Sequence, residues 1–408
     1  MPKIQSLAAL LGLSLALSAC NPDPIVTPLP QPQPEVITQP AAPVVGQATE
    51  IQTLPAVTQQ AANTFSEMLN PASADFDPDL AAVLEGLGGV MMGQPVQMQS
   101  LKVQSPAQLG NQIKAMLTAR SRSGLGNLTA TTTLLPRGTW MVGAQGQLTK
   151  TSAQPADGYV LMSAGTAITL TAEWEVGGSK TVLIDDSGTL TGVAMRVEVP
   201  TNARVTLTRG AVKRAAAQMT MTPGACIGIS GPDALTLTAW AGREANPPAQ
   251  LKFSHAWTAT GVTTSTEATY LTRSRRASAS MTSSISGSTA NRCTPATFAF
   301  TPTRADLSAS VSVPGNTASA DLKLRDLTNV VFSDTELRAS NPFSKVTGTL
   351  SASAQHNGKA VLSAFGPLAD GADADLLPGD QTNVQFVLRG KLIVTNLQAV
   401  FQGKVALN

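Results

Sequence analysis

Along most of the chain, apolar and polar residues alternate one for one. Ile168-Thr169-Leu170-Thr171-Ala172-Glu173-Trp174 is such a run, and Leu235-Thr236-Leu237-Thr238-Ala239-Trp240 is another. Residues 195–199, 205–208, 322–325, 346–350 and 384–388 repeat the pattern. A period of two describes strands with one apolar and one polar face. Turn signals punctuate these runs: Gly177-Gly178, Asp186-Ser187-Gly188, Pro223-Gly224, Pro314-Gly315, Asn357-Gly358 and Arg389-Gly390. Many strands with tight turns predict an antiparallel body. The expected fold is mainly β, a large antiparallel sheet forming a sandwich or a half-open barrel-like body, with a short helical N-terminal segment. The all-β domain is expected over residues 121–408. Residues 361–406 carry no helix signal, so the sheet is expected to reach the C-terminus.

Ahead of the sheet the period changes. Val57, Ala61, Phe65 and Leu69 recur at four-residue spacing, one face of a helix. Asp77-Pro78 reads as a cap and first-turn proline, opening a helix through Leu80, Val83, Leu84 and Leu87. Ser105-Pro106 opens another through Leu109, Ile113, Met116 and Leu117. Residues 54–120 are thus a helical lead-in expected to pack on the sheet. Residues 20–53 form a Pro-rich linker, and nine prolines fall within residues 21–60. Alternating proline fixes φ and removes donors, so this stretch is expected to be an extended spacer.

The chain opens Met1-Pro2-Lys3, runs mostly apolar over residues 4–17, and continues Leu17-Ser18-Ala19-Cys20. A charged start, a short apolar run and a small-residue cleavage site have the layout of a secretory signal. The run is shorter than the roughly 20 apolar residues that span a bilayer. Leu17-Ser18-Ala19-Cys20 resembles the lipobox of bacterial lipoproteins. The resemblance implies that residues 1–19 are a signal peptide and that Cys20 carries a diacylglycerol. It places the protein in the cell envelope, extracytoplasmic and lipid-anchored to a membrane. Asn21 stands where that family often uses Asp for inner-membrane retention, which leans toward an outer destination. Leu135-Pro136-Arg137-Gly138-Thr139-Trp140, then Asp157-Gly158-Tyr159-Val160-Leu161 and the strand to Trp174, resembles uncharacterised β-rich envelope lipoproteins. That second resemblance implies no activity.

Charge is lopsided. Between Ile4 and Leu101 there are eight acidic residues and no Lys or Arg, and from Lys102 onward 27 basic residues face 18 acidic ones. A mildly basic domain suits an anionic envelope lipid or polysaccharide. The basic residues are dispersed, so nucleic acid is not an expected partner. The densest group, Arg273-Ser274-Arg275-Arg276, reads as the solvated face of a strand. Besides Cys20 there are only Cys226 and Cys293, an even pair in an oxidising compartment, and a disulfide is expected. Two thiols or a metal pair are the alternatives.

Catalytic signals are sparse. His255 lies in Phe253-Ser254-His255-Ala256-Trp257, where alternation groups it with Phe253 and Trp257 as a sheet histidine. His356 precedes Asn357-Gly358 and reads as a solvated turn residue. No metalloprotease, nucleophile-elbow, Walker or dinucleotide motif occurs. Asp75, Asp77 and Asp79, and the loop Asp370, Asp373, Asp375 with Asp380, are oxygen-rich enough to consider calcium. Asp77 is better explained as a cap, and the later loop as a solvated turn. No catalytic residue, metal or cofactor is assigned, and no enzyme is expected. Three functions remain: a noncatalytic binding or structural protein of the envelope, a lipid or amphiphile carrier, and an envelope-polymer hydrolase. An unfilled apolar trough would select the second, and two close carboxylates in a cleft the third.

Overall fold

The computed structural model describes residues 37–46, 73–84, 137–143, 148–163, 167–184, 193–224, 232–291, 299–330, 346–369 and 379–401. It also describes residues 63, 64, 67, 68 and 70, and gives backbone alone over 176–200. Sixteen strands form one sheet. The first eight are β1 (Gly138–Val142), β2 (Leu148–Ser152), β3 (Gly158–Ser163), β4 (Ile168–Ile184), β5 (Val193–Arg209), β6 (Val212–Thr222), β7 (Ala234–Ala241) and β8 (Ala249–Thr258). The rest are β9 (Gly261–Leu271), β10 (Arg276–Ala290), β11 (Ala299–Val313), β12 (Asn316–Thr328), β13 (Thr347–His356), β14 (Lys359–Leu368), β15 (Asn383–Leu388) and β16 (Lys391–Asn396). From β3 to β16 each strand pairs antiparallel with the next, and the parallel pair β1–β3 makes the sheet mixed. The sheet does not close into a barrel. Among the described residues two short helices accompany it, α1 over residues 78–84 and α2 (Leu397–Phe401), and residues 63, 64, 67 and 68 are helical too.

The alternation seen in the sequence becomes two chemically distinct faces. One register row runs Trp174–Ala203–Met219–Leu237–Phe253–Thr266–Met281–Ala309–Ala320–Ala354–Leu362–Phe386–Ile393 across thirteen strands, and only Thr266 is polar. The opposite face is hydroxyl-rich. There Ser254 meets Ser265 at 2.8 Å and Ser280 meets Ser310 at 2.7 Å, cross-strand pairs that suit a wetted surface. Residues 37–46 touch this face where Ser351 Oγ donates to the Thr38 carbonyl.

Helix α1 starts as its sequence predicts. Asp77 Oδ1 accepts from the Asp79 and Leu80 amides, and Pro78 fills the first turn. Phe76, Leu80 and Val83 then enter a core with Met68, Leu207, Tyr270, Ala277 and Val313, against which Leu161 also packs. That core reaches from β3 to β11. Laid flat, those nine strands would span about 38 Å, while a helix is about 10–12 Å across. The apolar face must therefore curl around the helical segment, which makes it the concave face.

A second core sits at the opposite end of β12–β16, where Leu350, Ala364, Val384 and Phe386 pack with Leu397 and Val400 of α2. This helix corrects the expectation of sheet to the C-terminus. Asn396 caps it, its side-chain oxygen accepting from the Ala399 amide, so the strand ends where a capping residue lets the chain turn. Gly177-Gly178 is also not a turn. Strand β4 runs through it, with register shifts on β5 from Glu175 to Ser179, as a bulge permits.

Candidate functional site

On the concave face, small side chains recur at alternate positions of neighbouring strands. The row nearest α1 runs Leu207–Ala215–Ala241–Ala249–Tyr270–Ala277. The next runs Val205–Ala217–Ala239–Leu251–Ala268–Ala279–Val311–Ala318. Helix α1 covers the first row: Leu207 is 3% exposed and Tyr270 7%. The second row is open, with Leu251 37% and Val311 45% exposed. Large apolar residues on a concave face that is buried one row away are an unfilled core position, unlike scattered surface apolars.

The result is an open cavity of about 610 Å³ on β7–β11, lined by Ala249, Leu251, Ala268, Tyr270, Ala279 and Val311 among others. That is within the size range of small-ligand sites. Alanine explains the shape: its side chain ends at Cβ, so a curled sheet bearing it leaves space that leucine would fill. The signal was present in the sequence as Ala239-Trp240-Ala241 and Ala277-Ser278-Ala279, alternations that register as strand but not as groove.

One polar spot interrupts this face further along the strands. His255, Thr264 and Ser283 stand side by side on β8, β9 and β10. His255 Nδ1 lies 3.3 Å from Thr264 Oγ1, while its Nε2 is buried without a hydrogen-bond partner. Burial lowers its pKa and favours the neutral ring. It is a buried sheet histidine beside Phe253 and Trp257, as alternation indicated. His356 corrects the solvated-turn expectation. The turn holds only Asn357-Gly358, so His356 is still a strand residue; it faces Ala318, is 7% exposed, and meets Asn316 Oδ1 at 3.2 Å.

The acidic triplet at the start of α1 is an ionic latch. Asp75 accepts from Thr272 Oγ1 at 2.7 Å, Ser274 Oγ at 2.8 Å and Arg275 Nε at 2.8 Å. These bonds, from Thr272 first and then Arg275, hold its carboxyl well below the usual range. Burial would raise the Asp79 carboxyl, but hydrogen bonds from Arg243 and Arg214 outweigh it and lower the pKa. Asp77 Oδ2 accepts from Arg243 as well. All three carboxylates thus carry cationic or hydroxyl partners supplied by the sheet. Residues 273–275 are a turn rather than a strand face, and only Arg276 begins a strand: the Thr272 amide donates to the Arg275 carbonyl and the Arg275 amide to Thr272 Oγ1.

Cys20, Cys226 and Cys293 lie outside the described residues, as do Asp370, Asp373 and Asp375. Among the described residues, no group of three or more His, Cys, Asp or Glu side chains is placed to hold a metal ion. No helix of the described residues is long and apolar enough to cross a membrane. Comparisons with family models, curated proteins and solved structures find no match.

Proposed function

We propose that this is a membrane-tethered, extracytoplasmic lipoprotein with a noncatalytic binding role, and that its concave face holds the acyl chain of an amphiphile. The observation that carries the reading is the open alanine-rich groove beside a closed one on the same face. Its lining is apolar side chains, which select for hydrocarbon. Each methylene buried contributes about 0.8 kcal/mol, so about ten would contribute roughly 8 kcal/mol before the entropic cost of association. The lipobox-like Leu17-Ser18-Ala19-Cys20 supports a tether that keeps the groove beside a source of such chains.

The experiment is native mass spectrometry of the chain from residue 20 onward carrying Cys20→Ser, purified from cells without detergent. The expected spectrum contains adducts of lipid mass that organic extraction removes. A spectrum of bare polypeptide, with no uptake of added fluorescent fatty acid, would sink the reading. In cells, Cys20→Ser is expected to move the protein from the membrane to the soluble fraction. Unchanged membrane association would place the anchor elsewhere.

A further inference from the structure

We infer that the end of the sheet beside α1 is a docking face for an anionic membrane surface. From β5 to β16 the meander sends six hairpins to that end, and four of them carry exposed basic residues. Arg209 precedes the β5–β6 turn, Arg273 and Arg276 flank the β9–β10 turn, Lys359 follows the β13–β14 turn, and Arg389 and Lys391 border the β15–β16 turn. All six are exposed. The acids at this end are largely committed elsewhere: Asp75, Asp77 and Asp79 pair with Arg275, Arg243 and Arg214, which are only partly exposed. Glu244 pairs with Lys213. Arg273, Arg276, Lys359 and Lys391 have no acidic partner among the described residues. At the opposite end, the charged residues of the described connections between strands are acidic: Asp157, Asp233 and Asp380.

Shape points the same way. Gly210-Ala211, Pro314-Gly315, Asn357-Gly358 and Arg389-Gly390 are two-residue turns, and the longest connection at this end from β5 to β16 is 242–248, while longer connections such as 223–233 and 369–382 leave the other end. Positive φ at Asn357, Gly358, Arg389 and Gly390 is what lets two residues reverse the chain. Hairpins recur about every 10 Å along a sheet, so the cations from β9–β10 to β15–β16 form a row of about 29 Å. A row that long cannot converge on one headgroup or one small anion. It matches many phosphates spread over a surface, and each Lys or Arg near such a surface contributes about fivefold to partitioning, from about 1 kcal/mol.

The test is co-sedimentation of the chain from residue 20 onward with Cys20→Ser, so that no anchor contributes. Vesicles of phosphatidylglycerol and phosphatidylcholine are compared with vesicles of phosphatidylcholine alone. Binding is expected on the anionic vesicles only, and is expected to vanish near 1 M salt, where the Debye length is about 3 Å. Arg273→Gln, Arg276→Gln, Lys359→Gln and Lys391→Gln are each expected to weaken it about fivefold, with the circular dichroism spectrum unchanged. Equal binding to both vesicles, or binding that survives all four substitutions together, overturns the inference. So does dextran sulfate binding through these four residues with no binding to anionic vesicles, since the partner would then be a soluble polyanion. A groove-filling variant is expected to leave vesicle binding intact, so this face and the acyl groove can fail separately.

Discussion

The Tyr270 hydroxyl donates a 2.8 Å hydrogen bond to the Met68 carbonyl, joining the middle of the sheet to the helical segment across 202 residues of sequence. Both residues are buried. Burial first, then the charges of Asp77 and Asp75, raise the phenol pKa, so the hydroxyl stays protonated and able to donate. Tyr270→Phe is expected to leave the carbonyl without this donor and cost about 1–3 kcal/mol. Chemical denaturation measures the loss. Hydrogen exchange is expected to speed up in residues 73–84 more than in β12–β16, and uniform acceleration would mean the bond does not act through this helical segment, the plug of the concave face.

The Asp75 bonds to Thr272, Ser274 and Arg275 predict a particular pH dependence. The folded carboxyl titrates below its unfolded value, so its contribution is present above about pH 3.9 and is lost progressively below that. Asp75→Asn is expected to melt lower than the parent at neutral pH. The gap is expected to narrow as pH falls under about 4. A gap that stays constant from pH 7 to strongly acid conditions would assign the effect to shape alone.

His255 predicts a second, separate window. Its folded pKa is depressed by burial, so the neutral ring is favoured in the fold and stability is full above about pH 6.5. Acidification below that charges the unfolded histidine first, and stability falls. His255→Gln is expected to flatten the melting-temperature slope between about pH 6.5 and pH 5, ahead of carboxylate titration. An unaltered slope in the variant would remove His255 as its source.

The two faces were legible because a strand's side-chain period is two, and Phe253, His255 and Trp257 were grouped correctly from that alone. The groove was not legible, since it depends on curl. Ala268 and Ala279 read as ordinary sheet residues until the sheet wraps α1 and leaves them facing space. Asp77-Pro78 marked a helix start because capping is local. Asn396 does the same work for α2, but it follows the strand-like run Leu392-Ile393-Val394-Thr395 and reads as its last residue. The partners of Asp75 and Asp79 come from more than 130 positions away, beyond any local pattern.

The described strands bear on the expected disulfide. β6 and β10 both run toward the same end of the sheet, since four antiparallel pairings, from β6–β7 to β9–β10, separate them. The connections carrying Cys226 and Cys293 therefore start from that end. Non-reducing peptide mapping is expected to find the two joined. The closed loop of 66 intervening residues would contribute about 4 kcal/mol by restricting the unfolded chain. Free alkylation of both without reductant would refute the pairing.

Groove and plug make opposite predictions for the same substitution. Ala277 belongs both to the core under the helical segment and to the edge of the cavity lining. At 4% exposed it is the buried one, so Ala277→Phe overpacks that core and is expected to cost about 1–3 kcal/mol. Ala268 and Ala279 lie one row further along and line the cavity. Ala268→Phe and Ala279→Phe add their rings to empty space, and each is expected to change stability by less than about 1 kcal/mol. The same rings occupy the volume an acyl chain would need, so uptake of a fluorescent fatty acid is expected to be lost in both. Denaturation and ligand titration on the three variants separate the cases. If Ala268→Phe destabilises as Ala277→Phe does, the groove is filled by the protein itself. If stability and uptake are both unchanged, the acyl chain binds elsewhere.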